Sequence, residues 1–150
     1  MNDGLIKKFP KLLKQALEKG IIEFPDDVKD VYGDVMAYRA LSIVKGEPPQ
    51  ITREAFASQM ELRSLYPEKR IFKDYDETDI SNYSCSLYSD SNELNKVMHL
   101  PRQSKAVIKG LVRCSNGVMN HNLKTSHINW WLYDNHTAVN DFEVIEYVKT

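Results

Sequence analysis

Ser126-His127-Ile128-Asn129-Trp130-Trp131-Leu132-Tyr133-Asp134 holds both tryptophans of the chain, side by side. Adjacent residues of a strand point to opposite faces of its sheet. Read as a strand, this stretch lets one indole anchor the core while the other meets a cleft, a second layer or a partner. At least one of the two is then a core anchor, and everything else in the chain is read around that strand.

Its neighbours in sequence are also strands. Ala106 to Arg113 is apolar and extended, and Ser115-Asn116-Gly117 reads as a tight turn, since Asn-Gly readily adopts the positive φ angles of a hairpin. Asp134-Asn135-His136 is a further turn. From about Asp141 to Val148, Phe142, Val144, Glu146 and Val148 alternate with Glu143, Ile145 and Tyr147. Short connections between these strands predict an antiparallel meander over 105–148. Upstream, Tyr83 to Tyr88 alternates as a half-buried strand. Val35 to Val44 is an apolar run closed by Lys45-Gly46-Glu47-Pro48-Pro49.

Helices lead the chain. Leu5, Ile6, Phe9, Leu12, Leu13, Ala16 and Leu17 form a helical stripe within residues 1–20, with Pro10 near the helix start and Gly20 as its stop. Thr52 is the expected N-cap of a helix reaching about Leu65, and Asp90 with Glu93 predicts a capping box for a short third helix. Residues 66–82 are charged and irregular, a solvated loop or a mobile lid. The expected fold is α+β: a single compact domain over 1–150, mainly an antiparallel sheet packed against the N-terminal helix and one or two more.

Composition agrees with a soluble globular domain: 150 residues, 42% apolar and 27% charged. Lys+Arg 20 against Asp+Glu 21 argues against a dedicated duplex nucleic-acid binder, which needs many phosphate contacts. Neither a secretory leader nor a membrane-length apolar run is visible. Cys85 and Cys114 stand singly, both in expected strands, and read as reduced, packed thiols. The expected setting is the cytoplasm, with no membrane partner.

Four histidines, His99, His121, His127 and His136, are the natural place to seek a metal or a base, yet none pair at metal-ligand spacing. His127 shares its strand face with Asn129, Trp131 and Tyr133, which together make a candidate ligand-binding wall; the plain alternative is a solvated sheet surface. Arg39 sits inside an apolar strand, so it must be paired or aimed at an anion. Glu143 or Glu146 is the expected structural partner. Tyr83, Tyr88, Trp130 or Trp131 and Tyr133 on one sheet could stack bases, but without a basic surround.

Tyr38-Arg39 in an early strand, Ser84-Cys85-Ser86 in a middle one and Glu143 to Glu146 in the last loosely resemble the Arg–Ser–Glu arrangement of ADP-ribosyltransferases. The resemblance implies an NAD-binding site in which Arg39 holds a phosphate, Ser84 or Ser86 supports the nicotinamide ribose, and Glu143 or Glu146 stabilises the oxocarbenium ion. Ser-Cys-Ser stands where that family has Ser-Thr-Ser. The glutamates are three apart rather than two, which on a regular strand puts them on opposite faces and leaves only one usable. The favoured reading is a small non-catalytic binding or accessory protein, without cofactor, whose aromatic sheet face takes a protein partner or a small-molecule ligand. An NAD-dependent transferase centred on Arg39, Ser86, Glu143 and Glu146 is the alternative.

Overall fold

Pro10 divides the N-terminal apolar stripe. The residue before a proline is pushed out of the helical region, so the stripe becomes two helices, α1 (Asp3–Ile6) and α2 (Lys11–Glu18). This is seen in a computed structural model that describes residues 3–44, 46–72, 74–98 and 105–147. Leu13 and Ala16 of α2 are buried, and Gly20 ends the segment with φ +71.

Thr52 does not open the next helix. Its side chain makes no capping bond, and Arg53–Phe56 is a single 3-10 turn that stops at Ala57. Ser58 and Glu61 then form a reciprocal capping box that starts α3 (Gln59–Leu65). The break divides the apolar residues: Ala55 and Phe56 enter one core, Met60 another. Asp90 caps α4 (Ser91–Val97) by accepting from the Asn92 N–H. Glu93 turns to Lys96 at 3.0 Å.

The strands are β1 (Val35–Ser42), β2 (Cys85–Tyr88), β3 (Lys105–Val112), β4 (Gly117–His121), β5 (His127–Leu132) and β6 (Phe142–Tyr147). They form one antiparallel sheet in the order β4-β5-β2-β1-β3-β6, so the protein is an α+β domain. The expected meander over 105–148 is not what forms. Among the described residues, only β4 and β5 make a hairpin; β3 pairs with β1 along all eight residues, and β6 lies outside β3. Ala106, Val107 and Ile108 are buried in succession, which demands a central strand covered on both faces. The chain therefore leaves β3 for the far edge and returns to the opposite one.

Asn116-Gly117 accordingly marks a crossover corner. Cys114–Asn116 is a 3-10 turn, so Cys114 lies outside any strand, and Gly117 already belongs to β4. A Cβ at Gly117 would lie 2.4 Å from the Trp131 carbonyl and 2.8 Å from Trp130 Nε1; glycine is there for close approach. Both cysteines are free, Cys85 deeply buried at the start of β2.

The tryptophan strand serves two cores. Trp130 packs edge-on against Phe56, with ring centroids 6.2 Å apart, in a cluster with Leu87, Ile108 and Phe142. Trp131 turns to the other face, meets Phe24 edge-on at 5.2 Å, and joins Phe9, Leu13, Met60 and Tyr133. The second indole thus meets a second layer. Its Nε1 donates to the Ile80 carbonyl at 3.0 Å. With Tyr75 and Ile80 packed on that core and Tyr83 Oη donating to the Glu77 carbonyl, the 75–82 half of the charged stretch is fastened down rather than built as a lid.

A bulge reshapes β6. Val144 pairs with Ile108 but Glu146 pairs with Val107, leaving Ile145 as the extra residue. Glu143 opposes Lys109, two residues from Val107, so both glutamates end on the same face. The opposite-face expectation fails because it assumed a regular strand. Among the described residues, no helix is long and apolar enough to cross a membrane.

Candidate functional site

His127, Asn129, Trp131 and Tyr133 alternate onto one side as expected, but their surroundings differ. Trp131 and Tyr133 are sealed in the second core, as is Tyr83, so they offer no open wall and no stacking platform. Asn129 is committed to a polar ladder: it accepts from Ser84 Oγ at 3.1 Å and donates to Asn120 Oδ1 at 3.0 Å, while Asn120 donates to Asp27 at 3.3 Å. Of the four, His127 stands at the open end.

There Ser86 and His127 meet. Ser86 Oγ lies 2.6 Å from His127 Nε2, across the β2–β5 ladder in which Ser86 opposes Asn129 and Tyr88 opposes His127. The Tyr88 ring packs on the imidazole with centroids 5.1 Å apart at 66°. Burial holds the His127 pKa below the ordinary histidine value. A second pair, Ser89 Oγ and His121 Nε2 at 2.9 Å, sits further along; burial and then the Lys29 charge lower the His121 pKa. His136 is an exposed turn residue, and His99 lies outside the described residues. Among the described residues, no group of three or more His, Cys, Asp or Glu could hold a metal ion.

Arg39 is not ion-paired with Glu143 or Glu146. Its Nε donates to the Ala55 carbonyl at 2.8 Å and its Nη1 to the Ser86 carbonyl at 2.7 Å. The reason is a short ladder: β1 registers with β2 at Tyr38–Tyr88 alone, so beyond that point the Ser86 carbonyl needs another donor. The guanidinium fork supplies it. Glu143 and Glu146 are exposed on β6, two strands from β1 and three from β2. At about 4.8 Å per strand, that is roughly 10 and 14 Å of lateral distance.

Arg39, Ser86 and Tyr88 do converge with Leu94 and Met98, at α4 and its end, and with Lys105 on a cleft of about 350 Å³. Among the described residues, no carboxylate lines it. Lys105 Nζ donates to Ser42 Oγ at 2.9 Å, and Lys109 Nζ sits 5.8 Å from the Tyr38 ring centre. Lys105 and the α4 wall carried no signal in sequence, because nothing local says that they face Ser86.

Arg53, also passed over in sequence, behaves differently from Arg39. Its Nε and Nη1 are buried and, among the described residues, have no hydrogen-bond partner.

Fold and site together define an α+β domain with a cationic, aromatic-walled cleft beside a serine–histidine pair. Comparison with protein families, with curated proteins and with solved structures found no match for the chain.

Proposed function

We propose that the protein is a small binding protein whose α4 cleft takes a small molecule with an anionic group and a flat or apolar body. One observation carries this reading: two cations and a hydroxyl, Arg39, Lys105 and Ser86, share a cleft with Tyr88, Leu94 and Met98 and, among the described residues, with no opposing carboxylate. The cleft's volume falls in the range of small-ligand sites, which are mostly apolar with a few placed polar groups. The recognition surface is thus moved from the aromatic strand face to the open end of the same sheet. A small molecule suits a concave cleft better than a protein partner does, and two free cysteines suit a reducing, cytosolic setting.

A thermal-shift and calorimetric titration with aryl carboxylates, aryl phosphates, nucleotides and NAD tests it. Saturable binding of an anionic aromatic compound, weakened by Lys105→Met, is the expected result. A ligand at a hundred times its Kd should add about 2.7 kcal/mol to stability. No response to any member of the panel, or binding indifferent to Lys105→Met, would count against the cleft.

NAD belongs in that panel because Arg39 and Ser86 share one cleft beside an aromatic ring, as the transferase alternative requires. Its carboxylate would have to come from Glu143 or Glu146, across the sheet. Nicotinamide release from NAD that disappears in Glu143→Gln or Glu146→Gln would favour that reading; release unchanged in both would sink it.

A further inference from the structure

The open end of the sheet holds more than a binding cleft needs. We propose that Ser86 is a nucleophile activated by His127, acting on an ester or thioester whose acid portion carries a negative charge. This rests on the reading of the α4 cleft as the ligand site, since Ser86 is one of its lining residues.

Three features fit a working pair. The Oγ–Nε2 separation of 2.6 Å is a short hydrogen bond, the contact through which an imidazole takes a hydroxyl proton. Ser86 is held from behind, its carbonyl fixed by Arg39 Nη1, while its side chain stays exposed. His127 is held in three ways: by the Tyr88 ring, by Asn122 N–H donating to its carbonyl at 2.9 Å, and by its own N–H donating to Thr125 Oγ1 at 3.3 Å.

The residue just before it adds an independent sign. Ser126 has φ +64, the one non-glycine positive φ among the described residues. That backbone is pinned by the Asp90 N–H donating to Ser126 Oγ at 3.1 Å and the Ser89 N–H donating to the Ser126 carbonyl at 2.9 Å. Strain of this kind persists where surrounding contacts over-determine it, and it clusters at functional sites. Here it lies immediately before His127, the first residue of β5.

In the step proposed, Ser86 Oγ bonds to the acyl carbon as His127 Nε2 takes the hydroxyl proton. The bond to the alcohol or thiol then breaks, and the leaving group departs with that proton. Water, deprotonated by the same nitrogen, returns the acid and restores Ser86. Arg39 and Lys105 hold the anionic group of the substrate.

A neutral fluorophosphonate probes the nucleophile without needing the cations. Its phosphorus bonds to Oγ, fluoride leaves, and the proton passes to His127. Intact mass and peptide mapping should find one adduct, on Ser86. Ser86→Ala should abolish it, His127→Gln should slow it about a hundredfold or more, and His121→Gln should leave it unchanged. The wild-type rate should rise with pH and level off past a midpoint below the ordinary histidine value, since burial lowers the His127 pKa and Tyr88 is the titratable ring packed on it. Absence of an adduct on Ser86, an equal rate in His127→Gln, or a rate that climbs through the alkaline range without levelling would overturn the proposal. Labelled Ser86 with no anion binding would sink the binding reading, and the anionic substrate with it, while leaving the nucleophile; anion binding without labelling would sink the nucleophile alone.

Discussion

The two ends of the tryptophan strand share one backbone geometry and have opposite fates. At the Leu132 end, both faces are covered: Trp130 by the core of Phe56 and Phe142, Trp131 by α2, Phe24 and the Ile80 turn. At the His127 end the same two-residue alternation brings Ser86, Tyr88 and an imidazole to a half-open face beside a cleft. The difference lies in what is laid over the strand. One end is built for stability; the other retains polar groups that are hydrogen-bonded and reachable.

Truncating the sealed end should do the most damage. Trp130→Ala and Trp131→Ala should each cost about 3–5 kcal/mol, read from urea unfolding. That is a large share of the 5–15 kcal/mol typical of a domain. A loss under about 1 kcal/mol at Trp131 would mean that its face is not sealed. Gly117→Ala drives a methyl group into the Trp131 carbonyl and should cost about 1–3 kcal/mol. A neutral outcome would show that β4 can move away from β5.

The open end should respond less in stability and more in binding. Arg39→Lys keeps the charge but loses the fork that serves two carbonyls, at a cost of about 1.5 kcal/mol. Anion binding in the cleft should weaken with it. An unchanged unfolding midpoint would contradict the bridge from Arg39 to the Ala55 and Ser86 carbonyls.

The smallest effect is in pH. The folded His127 pKa lies below its unfolded value near 6.5, so below that pH the unfolded chain binds more protons. Stability should therefore fall as pH drops from about 6.5 toward the folded pKa, and His127→Gln should flatten part of that fall. His121, lowered likewise, accounts for some of the remainder. Urea midpoints at neutral and mildly acidic pH in the two proteins check it.

The departures from expectation have two kinds of physical cause. The capping box at Ser58 and Glu61 was visible as Ser-x-x-Glu, yet Thr52 and the apolar Ala55 and Phe56 suggested an earlier start. The signal was local, and the competing one was also local. The β6 bulge is different in kind: no residue in Phe142–Tyr147 announces it, because a bulge exists only in the register that β6 adopts against its neighbour β3. The route from β3 to β4 depends on which strand wins the centre of the sheet, a competition among distant segments.

By itself the sequence determined the alternation that sends Trp130 and Trp131 to opposite faces, the proline beside which the main N-terminal helix starts, and the α+β class. Those follow from the stereochemistry of neighbouring residues. Only the tertiary structure decided that the second indole would be covered, that Arg39 would bridge Ala55 and Ser86, that Glu143 and Glu146 would share a face, and that Ser86 would meet His127. Each depends on strands brought together from distant parts of the chain, where packing and unsatisfied backbone groups choose partners that spacing in sequence does not specify.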